Sequence, residues 1–444
     1  MIPLQADLSA IVTAVNYVWV LAVTFLIFFM HAGFAMLEAG QVRAKNVANQ
    51  LTKNLLTWSI GVIVFFLVGA AVSTIVGGLT GPGSVTVAGA FGDVIAPADS
   101  LAWVDWLFGA VFAMTAATIV SGAVAGRAKL RAYVTYTILL AAVIYPVVVG
   151  FKWGGGFLDV LGFHDFAGGM IVHGMGGIAG LTAAWIIGPR IGRFNDDGTA
   201  NVIPGHSLTF AVLGTLVLAF GWYGFNVGTA ASPLALAADG SVSLGAFSYV
   251  GRVALTTTLA MGAGAIGAAA ISVYKTGKVD TLYVANGLLA GLVGITSITD
   301  ATTWWGALLV GGLAGAQLPI VFEFVEKRLN IDDVCAVFPV HGSAGVLGAL
   351  LFPFVSVDGF SVSQLIAQVV GVGVIAVWTF AATAAVFGAI RAMGQARVTP
   401  EHEREGLDSS EHGVDTYPEF EKPDAVPDGG VTSDPGLRTD GGRE

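Results

Sequence analysis

Residues 165–180, DFAGGMIVHGMGGIAG, place a histidine eight residues after an aspartate, inside a stretch apolar enough to cross a bilayer. Residues 333–348, DVCAVFPVHGSAGVLG, repeat this spacing and share the string Val-His-Gly-x-x-Gly-x-x-Gly. Ionisable side chains at membrane depth are costly and usually mark the path of a polar solute. The repetition predicts that one half of the chain copies the other. The four residues concerned are Asp165, His173, Asp333 and His341.

The composition of the 444-residue chain excludes a soluble protein. Hydrophobic residues make up 55% of it and charged residues 11%, whereas soluble domains carry about 25% charged residues. The net charge of −10 comes mostly from residues 401–444, which hold 13 acidic and 4 basic residues. Cys335 is the single cysteine, so an internal disulfide is excluded and cysteine-based metal binding is not expected. The first apolar stretch lacks a preceding basic region and is expected to be a retained span.

Apolar runs of about 20 residues predict eleven membrane-spanning helices. One alternating set of loops holds fourteen basic residues, whereas the other set holds Lys152 and several aspartates. Because basic loops stay in the cytoplasm, the N-terminus is predicted outside and the C-terminus inside. The runs lie near residues 13–38, 51–77, 103–126, 132–151, 166–188, 206–228, 248–274, 281–299, 303–325, 336–356 and 362–391.

This span pattern predicts an all-α polytopic membrane protein, built from two inverted five-helix repeats (helices 1–5 and 6–10) and a long eleventh helix. Residues 1–398 would form the membrane domain and residues 399–420 a cytoplasmic C-terminal segment. Residues 421–444 form an acidic tail that is too polar to bury a core and is predicted to be disordered.

The two histidines are predicted to meet near the middle of the membrane. Helices 5 and 10 run in opposite directions, and eight residues of helix advance about 12 Å, so His173 and His341 both reach the middle third of a core about 30 Å thick. Both rings are expected to be neutral there, with one donating a hydrogen bond to the other. The alternative is that each ring satisfies a buried backbone group.

Strings spread over most of the chain match the signatures of one known family. They are GFAMLEAG at 33–40, DFAGGMIVH at 165–173, GWYGFN at 221–226, DDVCAVFPVHG at 332–342 and EHEREGLDSSEHG at 401–413. Over about residues 10–418 the chain resembles the ammonium transporters (Amt/Mep, related to the Rh glycoproteins), and among them the prokaryotic Amt proteins. The resemblance implies a homotrimer in the cell membrane, in which each eleven-helix subunit has its own narrow pore and no enzymatic activity.

The resemblance also assigns roles to the matching residues. An outer ammonium site would consist of Phe108, Trp153 and Thr229, and the stacked rings of Phe112 and Phe225 would block the entrance below it. Many bacterial members have Ser where Thr229 stands, so the effect of the added methyl group on affinity is open. The pore lining and proton relay would be His173, His341 and Trp222, with Asp165 as a structural acid near the outer site.

From the residues alone, several of these positions have a plainer interpretation. Trp153 has the pattern of an interfacial anchor, and Phe108 and Phe112 are four residues apart, as in ordinary helix packing. Asp165 begins a helix, which favours capping over direct ligation of a cation. His31 is interpreted as a contact to a neighbouring subunit or to a backbone carbonyl.

The chemistry of ammonium suits such a pore. Ring faces attract a cation by about 0.5–2 kcal/mol, and the hydroxyl of Thr229 can accept an N–H that potassium lacks. Carrying a charge through an apolar bore costs several kcal/mol. The hypothesis is therefore that ammonium loses a proton above His173 and crosses as ammonia, while a separate proton relay along the histidines is left open.

Alternative functions and partners follow from the same residues. A neutral-gas channel of Rh type, conducting ammonia or carbon dioxide, needs no cation trap. An ammonium sensor with little flux usually carries an added signalling domain, and an alternating-access carrier usually has broken charged helices. Expected partners are ammonium or its analogue methylammonium and the lipid bilayer. The resemblance also implies that residues 399–420 are a cytoplasmic regulatory segment and that a PII-class nitrogen-signalling protein binds at the cytoplasmic face. Nucleic acid, a cofactor and a metal are not expected.

Overall fold

The computed structural model describes residues 2–418, with the side chains from residue 8 onward. Ten helices in this range are long and apolar enough to cross a membrane, and an eleventh apolar helix is shorter. The predicted acidic tail at 421–444 lies outside the described residues. The apolar helices are α1 (Ile2–Gln41), α2 (Ala44–Thr80), α3 (Ala102–Ala123), α4 (Leu130–Val160), α5 (Gly169–Ile187), α6 (Leu208–Thr229), α7 (Val250–Thr276), α8 (Thr281–Thr296), α9 (Trp304–Lys327), α10 (Phe338–Val355) and α11 (Val362–Ala392).

The predicted helical, multi-pass membrane architecture is confirmed, and each predicted apolar run overlaps one of these helices. Helix α8 has 16 residues, or about 24 Å of helix, which is shorter than the run predicted at 281–299. The count of eleven spans, the orientation and the inverted repeat stay predictions.

A short hairpin departs from the all-α prediction. Strands β1 (Leu234–Leu236) and β2 (Val242–Leu244) pair antiparallel in the loop between α6 and α7. Gly240 takes a positive φ of 84° in the turn, and the carboxylate of Asp239 accepts the backbone N–H of Ser241 at 2.9 Å. Other short helical segments are Val87–Ile95, Pro400–Glu405 and Asp408–His412.

The loops fall on two opposite faces with different charge. On the first, called here the basic face, Arg127 donates to the carbonyls of Gly188 and Asp332, so loops from both halves of the chain meet. On the second, the acidic face, His164 pairs with Asp300 at 2.9 Å. The two histidines predicted to line a pore, His173 and His341, lie between these faces and are buried.

Glycines bring α1 and α6 into backbone contact. A Cβ on Gly33 would lie 2.8 Å from the backbone nitrogen of Leu218, and one on Gly214 would lie 2.3 Å from that of Leu37. Small residues allow such close approach of helices in lipid. The close approach of α1 and α6 brings Phe34 and Trp222 to the buried centre of the protein, where they lie beside the two histidines.

Candidate functional site

A sharp backbone turn precedes each of the two histidine helices. Gly168 has a φ of 92° and Ala336 a φ of 55°, and each lies three residues after the aspartate of its motif. The carboxylate of Asp165 accepts N–H groups at the start of α5, from Gly168, Met170 and Ile171, at 2.7–2.9 Å. Asp333 accepts those of Val337 and Phe338 at 2.9 and 2.7 Å. Both aspartates therefore cap helix N-termini.

The two histidines contact each other at the centre of the molecule. The Nδ1 atoms of His173 and His341 are 3.2 Å apart, so one of them donates its hydrogen to the other. The rings lie 5.3 Å apart, with an angle of 13° between their planes. His173 is fully buried, and His341 is 4% exposed. The two side chains therefore form one unit, and within the described residues Nε2 of His173 has no hydrogen-bond partner.

Two rings of α6 enclose His173. Trp222 stacks on it with ring centroids 4.6 Å apart and planes 16° apart, and Phe225 lies 5.2 Å away. The indole N–H of Trp222 donates to the hydroxyl of Thr296 at 2.9 Å. This hydrogen bond fixes the orientation of the tryptophan ring. The sequence gives no signal for the role of Thr296, because it lies in α8, far from every motif.

A column of rings continues from His173 towards the acidic face. The rings of Phe225 and Phe112 are 4.2 Å apart, and Phe112 meets Phe108 at 5.0 Å and Trp153 at 5.8 Å, both edge to face. Phe112 and Phe225 are buried, whereas Trp153 is 36% exposed. The structure thus brings together the ring residues that the sequence predicts for the outer site and for the gate.

Two further predicted residues flank the outer end of this column. The indole N–H of Trp153 donates to the carbonyl oxygen of Asp165 at 2.8 Å, so the residue that caps α5 also orients the tryptophan. Burial raises the pKa of the Asp165 carboxyl, although three backbone N–H groups oppose the shift. The hydroxyl of Thr229 donates to the carbonyl of Phe225 at 2.8 Å. Its oxygen lone pairs remain able to accept an N–H.

The opposite end of the column opens towards the basic face. Phe34 lies 6.2 Å from the ring of His341. Beyond it, a cavity of about 10 Å³ is bordered by His341, Glu38 and Asn286. Asn286 also borders a larger cavity of about 520 Å³ on the basic face. Phe34 and Glu38 both lie in the string GFAMLEAG at 33–40, but the sequence analysis assigns neither of them to the pore.

Two adjacent aspartates, Asp332 and Asp333, anchor the start of α10, and their carboxyl pKa values shift in opposite directions. Asp332 accepts two side-chain bonds from Arg190, at 2.7 and 2.9 Å, which together with the charge of Arg127 hold the pKa of its carboxyl well below the usual range despite burial. Burial raises the pKa of Asp333 to about 6. The ion pair fixes the helix base, and Asp333 caps the helix.

The C-terminal segment, residues 399–418, packs on the basic face. The carboxylate of Asp408 accepts the backbone N–H groups of Ala48 and Asn49 at 3.0 and 2.8 Å, at the start of α2. Glu411 accepts that of Leu130 at 3.0 Å, at the start of α4. Carboxylates at helix N-termini are stabilising, so this segment is attached through two helix ends.

His31 does not contact the column of rings, and the described residues contain no arrangement typical of a metal site. His31 is 8% exposed and packs against Trp58 at 5.2 Å. Its ring nitrogens have no hydrogen-bond partner within the described residues. No group of three or more His, Cys, Asp or Glu residues in residues 2–418 has the arrangement of a metal site.

Comparison with known proteins gives consistent matches. The sequence pattern of the Ammonium Transporter Family matches residues 18–417. Ammonium transporter Amt2 of Haloferax mediterranei is 76% identical over 99% of this chain and 96% of its own length. Ammonium transporter Amt1 of the same organism is 54% identical over 100% and 86%.

Solved structures of similar fold agree with these matches. A structure described as a sensor Amt protein superposes with a TM-score of 0.80 and 31% identity, covering 93% of this chain and 100% of that one. Mep2 of Candida albicans superposes with a TM-score of 0.75, covering 93% and 92%. At 23% identity, the Mep2 similarity shows the fold alone.

Proposed function

The chain belongs to the Ammonium Transporter Family, and we propose that it carries ammonium across the cell membrane by separating the cation into ammonia and a proton. The observation that carries this proposal is the continuous column of rings that ends in two imidazoles whose Nδ1 atoms are 3.2 Å apart. Such a column is apolar along most of its length and has proton-exchanging groups at its centre.

The acidic-face end of the column is the proposed recruitment site. The faces of Trp153 and Phe108 attract a cation, and the oxygen of Thr229 accepts one N–H. Potassium gains only the first contact, because it has no hydrogen to donate. Asp165 contributes by orienting Trp153 through its carbonyl oxygen rather than by binding the cation.

Below the site, the rings of Phe112 and Phe225 close the path. A cation passing them would lose its hydration without gaining a partner of opposite charge, which costs several kcal/mol. Deprotonation before or at this point avoids that cost. Ammonia then passes His173, whose Nε2 faces no other partner within the described residues, and the shared hydrogen between the imidazoles provides a relay for the proton.

The assembly and its regulation are further parts of the proposal. The similarity to the family supports a homotrimer with one pore per subunit. The C-terminal segment, attached through Asp408 and Glu411 to the starts of α2 and α4, lies where a PII-class signalling protein would dock on a cytoplasmic face. Methylammonium is the expected substrate analogue.

Solid-supported-membrane electrophysiology on proteoliposomes tests the transport function. Pulses of ammonium and of methylammonium should evoke currents, and pulses of potassium at the same concentration should not. Empty liposomes are the control. Equal currents from potassium and ammonium would contradict the recruitment site, and base flux without current would favour the neutral-gas channel.

An ammonium sensor with little flux is the second candidate, because a solved structure described as a sensor Amt protein is 31% identical to this chain. The higher identity of 76% to a protein named as a transporter favours transport. Specific binding of ammonium to the reconstituted protein, with neither current nor base flux above empty liposomes, would identify the sensor.

A further inference from the structure

A buried carboxylate lies beyond His341 without a part in the transport route described so far. Glu38, on α1, is 3% exposed. Its Oε2 accepts hydrogen bonds from Gln50 at 2.7 Å and Asn54 at 2.8 Å. The hydroxyl of Ser121 lies 2.8 Å from both carboxylate oxygens and can donate its one hydrogen to either, and it is the only donor to Oε1 within the described residues. One carboxylate oxygen is therefore saturated, and the other keeps a free lone pair.

The free oxygen lies close to the segment that leads into the helix of His341. A Cβ built on Gly122 would lie 3.0 Å from Oε1 of Glu38, 3.1 Å from Cβ of Cys335 and 3.1 Å from Cγ2 of Val337. Val337 precedes His341 by four residues, or about one helical turn. Oε1 of Glu38 and the side chain of Val337 therefore lie on either side of the small space beside Gly122, just before α10 begins.

A small cavity connects the carboxylate to the imidazole. His341 and Glu38 both border the cavity of about 10 Å³, which is about the size that holds one water molecule. Ammonia is of similar size. Asn286 borders this cavity and also the larger one of about 520 Å³. A single small molecule in the first cavity would thus lie against both side chains, with Asn286 between it and the larger cavity.

Buried groups around Glu38 supply the charge balance. Lys53 is fully buried, its Nζ has no hydrogen-bond partner within the described residues, and its charge acts on Glu38. The buried side chains of Tyr133 and Cys335 also interact electrostatically with Glu38. An isolated buried carboxylate would be costly, so the cation of Lys53 stabilises the ionised form that a proton acceptor requires.

We propose that Glu38 is the proton acceptor on the basic-face side of the histidine pair; this inference rests on the proposed transport function. A protonated His341 donates its ring hydrogen to a water in the small cavity, and that water passes one of its own hydrogens to Oε1. The imidazole becomes neutral, and the carboxylate becomes a carboxylic acid. Ammonia that reaches the cavity then takes this proton, leaving as ammonium and restoring the carboxylate.

The test compares Glu38→Gln with the wild type in proteoliposomes by two readouts. Ammonium-evoked current should fall at least tenfold, because the amide cannot accept the proton. Uptake of radiolabelled methylammonium, which counts the base whether or not a proton travels with it, should stay within about twofold of the wild type. Glu323→Gln is the matched control. Glu323 also lies near the basic face, but its carboxylate pairs with Lys275 and Lys327. The Glu323→Gln variant should therefore keep its ammonium-evoked current.

Each result has a separate meaning. Current in Glu38→Gln within twofold of the wild type would overturn the proposal, and so would an equal loss of current and base flux in a folded variant, which would indicate a structural role. Absence of current and flux in the wild type would instead refute the transport function itself.

A second variant covers the case in which Glu38→Gln does not fold, as judged by size-exclusion chromatography and thermal unfolding. Glu38→Asp keeps a carboxylate but withdraws it from the cavity by one methylene. Its current should fall several-fold, with a shifted midpoint in the pH profile of the current. A wild-type amplitude together with a wild-type midpoint would overturn the proposal.

Discussion

His173 is fully buried between Trp222 and Phe225, whereas His341 is 4% exposed and borders a small cavity that also reaches Glu38. The two residues occupy equivalent places in one repeated motif, and their rings meet. The difference lies in the neighbours that other helices supply. Aromatic rings enclose the histidine nearer the acidic face, whereas the other borders a cavity whose mostly apolar lining includes the polar side chains of Glu38 and Asn286. Two histidines in equivalent places of one sequence motif can thus have different surroundings, which depend on the neighbouring helices.

The backbones of the two motifs differ in the same position. Gly168 and Ala336 both adopt a positive φ three residues after the capping aspartate, but only the first is glycine. The left-handed conformation costs a non-glycine residue about 1–2 kcal/mol. Asp165 also receives three backbone hydrogen bonds and Asp333 two. The capping aspartate of the acidic-face motif is therefore bonded to more backbone groups than its counterpart.

Removal of the enclosed histidine should have the largest effect. His173→Ala breaks the shared hydrogen bond and the relay, and a proton-transferring side chain typically contributes about 100-fold or more to a rate. We expect ammonium-evoked current in proteoliposomes to fall by about that factor. His31→Ala, which removes a buried histidine outside the pore, is the control and should keep its current. Unchanged current in His173→Ala would exclude the pair from the proton route.

Substitutions at the two positive-φ residues, Gly168 and Ala336, should change the stability of the protein by different amounts. Gly168→Ala adds a methyl group 2.6 Å from Cγ2 of Val172 and 3.0 Å from Cη2 of Trp153, so strain and overlap together should cost about 3 kcal/mol. Ala336→Gly relieves strain but adds freedom to the unfolded chain, and should change stability by less than about 1 kcal/mol. Thermal unfolding in detergent measures both. Equal effects would show that the two turns are equivalent.

Asp333 should make stability depend on pH. Its pKa is about 6 in the folded protein, above the usual value of 3.8, because burial disfavours the charged form. The stability it contributes is complete below about pH 4 and is lost as the pH rises through 6, a change of about 3 kcal/mol. Asp333→Asn should remove this loss. Unfolding temperatures of the variant and the wild type between pH 4.5 and 7.5 should therefore diverge, and parallel curves would contradict the assignment.

Thr229 should show the smallest effect. Thr229→Ser keeps the hydroxyl that donates to Phe225, so the half-saturating ammonium concentration should change by less than about threefold, or about 0.7 kcal/mol. Thr229→Val removes the acceptor and should raise that concentration by about tenfold. The concentration dependence of the current measures both variants. If valine and serine behave alike, Thr229 does not accept a hydrogen bond from the substrate.

The sequence predicted the membrane architecture, the family and the positions of both histidines, because these depend on local patterns. It also predicted that Phe112 and Phe225 would lie together, but only through the resemblance, since apolar rings at helical spacing usually indicate ordinary packing. Phe34, Thr296 and Glu38 were not predicted as pore neighbours. Each lies on a helix that carries neither histidine, and nothing in its local sequence marks the face that it presents to the pore.

Hydropathy, loop charge and a repeated glycine-histidine string were enough to determine that this chain crosses a membrane many times and has two equivalent histidine helices. The tertiary structure alone decided which groups enclose each ring, how closely the two Nδ1 atoms approach and which carboxylate borders the cavity beyond them. The physical reason is that helices apolar on all sides carry no amphipathic signal of their rotation. Their facing residues are selected by close glycine contacts between segments far apart in the chain.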